Sequence, residues 1–401
     1  MICPKIVGIV HTHANRILYY STALYCGHFR ARGYDTELID LDDIGALQRL
    51  ADILNSGNTA FGFGLQGVGS KLEADDGENL WLAARVPFLC LHYDNPCYNP
   101  VNHVSDSPYV ANFYFFPSFL DIKHRYLSSP QIAALLPFEL LEIPPKPALS
   151  FVHRTIKLLF MKTGASLDEP VRQLNSLIPP LRDGAFDQLA RAECDPNLQL
   201  CDLVQEIFDT QQINRDDHPK LFWGIAQIMD IFLRRKRAID FIEWFKFQPG
   251  AVVVGDGWDF ISRDGAQAEF HPAMSADQAF PLYGQTKFIC NTNPYGRDVL
   301  HERILHGLLM CCNVITDTNA WLDHDVADFT ALHRFDWNHP LDDQLQPVLN
   351  DLEAARLAIQ TVRDETIIKF QHKHTIDMIL NGAQEIAATL GELTQAPAQA
   401  G

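Results

Sequence analysis

Residues 287–317 read K-F-I-C-N-T-N-P-Y-G-R-D-V-L-H-E-R-I-L-H-G-L-L-M-C-C-N-V-I-T-D. Two short apolar runs, K-F-I-C-N and N-V-I-T-D, flank a polar loop and a segment where Leu300, Ile304, Leu308 and Cys311 recur at helical spacing. Strand, loop, helix, strand is the repeating unit of a parallel sheet. With a helix starting near Asp298, the residues Asp298, Glu302 and His306 fall at i, i+4 and i+8, opposite the apolar stripe. A strand that feeds through a loop into a helix presents free backbone N–H groups and a positive dipole end, so this stretch reads as an anion site with phosphate as its expected occupant. Arg297 at the helix mouth suits a phosphate, and Glu302 suits vicinal hydroxyls such as those of a ribose. The plainer reading makes Asp298 a helix cap, pairs Glu302 with Arg303 and leaves both histidines at the surface.

The same alternation extends outward. I-V-G-I-V (6–10), Thr36 to Leu41, Ala60 to Phe63, Pro87 to His92 and Asn112 to Phe116 are strand candidates, each separated by room for a helix. In such a sheet the ligand crevice lies at the C-terminal strand ends, which places His11 to Arg16, Gly64 to Ser70 and Tyr93 to Cys97 on the functional rim. I-P-P-K-P (143–147) breaks any regular element and marks the expected boundary between an N-terminal domain, 1–145, and a C-terminal domain, 146–392. A-L-S-F-V (148–152) reads as a strand, and 155–247 reads as a helical insertion. Inside it, R-R-K-R (234–237) reads as a solvated helix face. A-V-V-V-G-D-G-W-D-F (251–260) resumes the α/β pattern, and 393–401 is expected to be a disordered tail.

Composition narrows the function classes. Of 401 residues, 47% are hydrophobic, as in ordinary soluble proteins, and the length implies two domains. Lys plus Arg number 32 against 50 Asp plus Glu, a net charge of -18 that disfavours nucleic acid and anionic lipid as partners and requires a local site for any anion. Apolar runs are too short to make a transmembrane segment, the N-terminal residues lack the zones of a secretion signal, and the nine cysteines lie without a CxxC pair. The expected location is cytoplasmic, with reduced thiols and no metal ligands among them.

From Ala251 to Asp323 the chain resembles the donor domain of GT-B glycosyltransferases, in particular the bacterial CgeB-like and DUF3880-associated group. The matching elements are Gly255, Gly257 and Trp258; Ser275 to Tyr283; Asn291, Asn293 and Pro294; Arg297, Asp298, His301, Glu302 and Arg303; and Thr316 to Asp317. A weaker likeness covers Gly62 to Gly69, L-W-L-A-A-R-V-P-F-L-C-L-H-Y-D-N-P and A-L-S-F-V-H-R-T. The resemblance implies two Rossmann-like domains facing a central cleft. It also implies transfer of a sugar from a nucleoside-diphosphate donor (UDP-, GDP- or dTDP-linked) to a glycan, lipid-linked or protein acceptor, with no metal required. It sets His153 and Arg154 beside the donor diphosphate. The retaining pattern of the wider fold has acids at both ends of an E-x7-E spacing, where this chain has Asp298 and His306.

Sugar transfer needs basic groups on the leaving diphosphate, for which Arg154, Arg297 and the amides near Val299 are candidates, and an inverting enzyme also needs a base. His13, after the first strand, and Asp94, in Y-D-N-P, are the two candidates, each with a structural alternative as a turn or cap residue. Gly255 and Gly257 permit close backbone approach to a nucleotide with Trp258 packed nearby, or simply form a turn, and Asn291 and Asn293 order the donor loop or, before Pro294, equally form a turn. Two rival functions stand beside transfer: a sugar-nucleotide epimerase, and a non-catalytic sugar-nucleotide or glycan-binding scaffold.

Overall fold

A computed structural model describes residues 3–12, 16–293, 296–371 and 374–395. The chain divides into two compact units, one of residues 1–142 with 370–401 and one of residues 143–369. Each is built on a six-stranded, wholly parallel sheet.

The first sheet comprises β1 (Lys5–Val10), β2 (Asp35–Asp40), β3 (Thr59–Leu65), β4 (Phe88–His92), β5 (Val110–Tyr114) and β6 (Ala133–Leu135) in the order β2-β1-β3-β4-β5-β6. Helices such as Arg16–Ala31 and Ala46–Asn55 fill the crossovers. The strands F-L-C-L-H and V-A-N-F-Y are buried at every position, as a strand covered on both faces must be. Trp81 and Phe88 stack with ring centroids 4.3 Å apart inside this core.

The second sheet comprises β7 (Ile156–Met161), β8 (Ala251–Val254), β9 (Glu269–His271), β10 (Thr286–Asn291), β11 (Asn313–Asp317) and β12 (Leu332–Phe335) in the order β12-β11-β10-β7-β8-β9. Strand order therefore reverses between β7 and β10, and in the first sheet between β1 and β3. These are the places where crossovers leave in opposite directions and open a crevice at the C-terminal strand ends.

Four expectations change. The expected strand at 148–152 is instead an irregular stretch ending in a single 3-10 turn, Phe151–His153, and the strand is β7, inside the region read as wholly helical; the insertion proper is a set of helices from Asp168 to Phe245. Three strands, β6, β9 and β12, were not expected; each has only three or four residues, too few for an alternating signal. The final helix, Thr375–Gln395, expected in the second domain, packs on the first unit: Asp377 pairs with Arg32 at 2.6 Å and the Thr375 hydroxyl donates to Pro137 O. It also takes in residues 393–395 of the stretch read as a disordered tail, and the remainder lies outside the described residues.

Candidate functional site

Lys162 follows the last residue of β7, at the switch point of the second sheet. Its ammonium donates to Thr292 Oγ1 at 2.6 Å across the β7/β10 crevice. Desolvation first, then the positive charges of Arg303 and Arg234, press its pKa down to about 7, while Asp317 works the other way. An amine in that condition keeps its proton readily only when an anion arrives.

The surrounding cations come from two helices. The long helix Pro219–Phe245 carries Arg234, whose Nε lies 2.7 Å from the carboxylate of fully buried Asp230, and Arg237, which is 5% exposed and 3.8 Å from Asp317 Oδ2. Arg303 comes from the first turn of Glu302–Leu309 and reaches Asn291 Oδ1 at 3.4 Å. The solvated face expected for R-R-K-R is thus corrected. Only Lys236, paired with Asp240, behaves that way; Arg235 donates to Ser166 O, and the other two turn toward the sheet.

A polar web holds the strand ends in register. The Asn293 N–H donates to Asp317 Oδ1 at 2.6 Å and its side-chain amide to Asp317 O at 2.7 Å, while Asn291 donates to Asn293 Oδ1 and Thr316 Oγ1, both at 3.1 Å. Trp337 Nε1 donates to the second oxygen of Asp317 at 3.1 Å. With these partners Asp317 is fully engaged, so its charge orders the loop after β10.

The opening helix starts at Glu302, four residues later than expected, because His301 caps it by accepting the Arg303 N–H on Nδ1 at 3.2 Å. Burial drives the His301 pKa down to about 4, helped by Arg303, so the ring is neutral and acts as an acceptor. Burial opposes ionisation at Glu302, while the adjacent Arg303 guanidinium holds its carboxyl below the usual carboxylate range.

This geometry revises several site expectations. Asp298 lies in the loop before the helix and is buried, so the stripe of Asp298, Glu302 and His306 is not one helical face. The His306 ring packs edge-on against Phe280 at 5.2 Å and Tyr283 at 6.5 Å. Arg297 is exposed, and its carbonyl accepts from Ala320 N at 2.8 Å.

His153 and Arg154 precede β7 and sit at the N-terminal edge of the sheet, the end opposite Lys162. Arg154 is 4% exposed and donates to the carbonyls of Thr286, Cys311 and Met310, so it ties the N-terminal sheet edge to the end of a helix and does not face a diphosphate at the strand ends. Gly255 and Gly257 are explained by close packing of protein on protein: a Cβ at Gly255 would lie 2.2 Å from Lys162 O, and one at Gly257 2.3 Å from Gly164 O. Trp258 is buried beneath them with Nε1 donating to Lys162 O at 2.8 Å. The G-D-G-W stretch therefore supports the backbone that carries Lys162.

In the first unit, Asp94 lies just past β4 and is exposed, its N–H donating to Gln66 Oε1 at 3.3 Å. His13 lies outside the described residues, as does Pro294 of the donor loop. Lys162, Arg234 and Arg237 escaped sequence reasoning. The signal available was a lysine directly after an apolar strand, in K-L-L-F-M-K-T-G, and basic residues three apart on a helix that precedes the next strand. No group of three or more His, Cys, Asp or Glu side chains able to hold a metal ion occurs among the described residues.

No protein-family model matches the chain, and no curated protein matches it in sequence. Solved structures do match in fold. An alpha-glucosyltransferase in complex with UDP aligns with a TM-score of 0.52 at 7% identity over 95% of this chain and 99% of its own. An alpha-glucosyltransferase with UDP and a 13-mer mismatched DNA gives 0.53 at the same identity and coverage. A glycosyltransferase from Rickettsia africae ESF-5 aligns at 0.49, with 9% identity over 96% of this chain and 99% of its own. Two Rossmann-like units, each a six-stranded parallel sheet flanked by helices, define the α/β class of the chain as the GT-B fold.

Proposed function

We propose that the chain is a glycosyltransferase of the hexosyl-transferring type that takes a nucleoside-diphosphate sugar and delivers the sugar to a glycan, lipid-linked or protein acceptor. The observation that carries this reading is Lys162 at the switch point with Arg234, Arg237 and Arg303 around it, in a protein of net charge -18. Three carboxylates, Asp230, Asp317 and Glu302, balance only part of the charge of the four cations. A diphosphate matches the remainder.

In this reading Lys162 and Arg303 face the phosphate oxygens, where negative charge grows as the glycosidic bond breaks, and Arg234 and Arg237 set the potential behind them. The chain's own cations supply that charge, which is why the proposal includes no required metal. Glu302, ionised and exposed at the helix start, accepts hydrogen bonds from the ribose hydroxyls. Asp94 is the proposed base on the first unit, with His13 as its rival. Net acidity argues against a nucleic-acid acceptor. A reducing cytoplasmic location is part of the same proposal; among the described residues no helix is long and apolar enough to cross a membrane.

A thermal-shift screen of UDP-, GDP- and dTDP-sugars against the wild type, Lys162→Met and Glu302→Gln tests this reading. At least one donor is expected to stabilise the wild type, with affinity about 100-fold weaker in Lys162→Met, as for loss of a charge-assisted contact. Glu302→Gln should weaken the donor but leave inorganic pyrophosphate unaffected. Failure of every donor to bind, or equal binding to Lys162→Met, refutes the assignment. Incubation with donor and no acceptor separates transfer from epimerisation, since an epimerase converts the donor alone.

A further inference from the structure

Beside the cation cluster lies a concavity of about 230 Å³, contained within the second unit and lined in part by Asp195, Asn197, Phe335, Asp336, Trp337 and Asn338. One wall is the turn between the insertion helices Pro179–Cys194 and Leu200–Thr210; the other is the C-terminal end of β12. Asn338 Nδ2 donates to Cys194 O at 3.2 Å and so fastens the two walls together.

The lining differs from the neighbouring cluster in every respect that selects a ligand. Trp337 is half-buried; its N–H is already committed to Asp317, and Phe335 meets it edge-on with centroids 5.0 Å apart. What the indole has left to offer is a ring face held in place. Asp336 accepts the Asn338 N–H at 2.8 Å and pairs with His339, which holds its carboxyl below the usual carboxylate range. Asp195 accepts the Asn197 N–H at 2.9 Å. A flat aromatic face, two carboxylates and two amides fit the C–H face and hydroxyls of a pyranose. The two negative charges reject phosphate. The volume falls below the roughly 300–1,000 Å³ of pockets for drug-sized ligands, which leaves room for a single ring.

We infer that this pocket is a carbohydrate subsite that binds one neutral hexopyranose unit of a glycan on the Trp337 face, with its hydroxyls on Asp195, Asn197, Asp336 and Asn338. The sugar is held by the helical insertion as much as by the sheet, which assigns that insertion a recognition task. Asp317 joins the two sites, since the carboxylate that anchors Trp337 also orders Asn293 and faces Arg237. The subsite does not depend on whether the cation cluster transfers a sugar.

The test uses the full chain labelled with 5-fluorotryptophan, in which Trp337→Phe assigns the Trp337 resonance by deleting it. Glucose, galactose, mannose, N-acetylglucosamine and their short neutral oligosaccharides are titrated in the absence of nucleotide. At least one is expected to shift the Trp337 signal saturably, with affinity about tenfold weaker in Asp195→Ala or Asn197→Ala, both exposed positions whose loss leaves the fold intact by circular dichroism. The idea fails if no sugar moves that resonance, if neither substitution weakens binding, or if inorganic phosphate competes for the site.

Discussion

The C-terminal edges of the two sheets are built from the same architecture and carry opposite chemistry. In the first unit β4 ends in His92 and β5 in Tyr114; His92 stacks on His103 at 3.9 Å and donates through Nε2 to Asn112 Oδ1 at 2.9 Å, and His103 meets the Tyr114 hydroxyl at 2.8 Å. In the second unit the corresponding strand ends carry Lys162, Asn291 and Asp317, with arginines brought in from helices. The first edge is a neutral network whose members largely satisfy one another; the second holds more positive charge than its carboxylates balance. A parallel sheet delivers the last residue of every strand to one edge. Whether that edge is part of the core or a binding site follows from the charge left over once internal partners are counted.

The comparison breaks most readily at the loop that supports Lys162. Gly255 has φ of +149° and no room for a Cβ beside Lys162 O. Gly255→Ala is therefore expected to cost roughly 3 kcal/mol or more in urea-unfolding free energy. A loss under about 1 kcal/mol would show that the loop moves freely and that the position of Lys162 is not set by it.

An acid titration sharpens the contrast from the other side. Burial drives the His92 pKa down to about 4, and the His103 pKa is likewise lowered by burial, with His92 and Lys123 adding to it. The folded pKa lies below the unfolded value, so the unfolded chain takes up the proton first. This stability is complete above about pH 6.5 and is lost as the pH falls toward 4. Between pH 7 and 4.5 the first unit should lose on the order of 2 kcal/mol from His92, by denaturation followed at each pH, and His92→Gln should flatten that slope. An unchanged slope in His92→Gln would show that the pair is not neutral in the fold.

The smallest effect is expected at the charged edge itself. Burial and the neighbouring arginines press the Lys162 pKa down to about 7, and under the proposed function a diphosphate bound there would raise it, so that binding would take up a proton. UDP-glucose, whose diphosphate does not titrate in this range, should bind about tenfold more weakly at pH 8.5 than at pH 7 by calorimetry. Lys162→Met should abolish the dependence. A flat profile in the wild type would place the anion elsewhere.

Much of the fold was legible because buried parallel strands are continuous apolar runs, and the runs at 6–10, 87–92 and 313–317 became β1, β4 and β11 with small shifts. The short edge strands β6, β9 and β12 were not legible, since three or four half-exposed residues carry no period. The positions of His301, Glu302 and Asn293 near a helix start or strand end were readable, because each sits within a few residues of an apolar run. Arg154 misled for a physical reason. A basic residue next to a strand looks the same in sequence at either end of it, and only the direction of the strand places it at the edge away from the crevice.

What the sequence determined by itself is the α/β alternation, the acidity of the whole chain and the polar helix start at H-E-R. These are local or additive properties, written in spacing and composition. Tertiary structure alone decided that the final helix joins the first unit, that Arg234 and Arg237 turn inward, and that Trp337 and Asp195 share one pocket. Each of those depends on which face packs against a partner distant in the chain, and helical periodicity shows that a face is apolar without saying what will cover it.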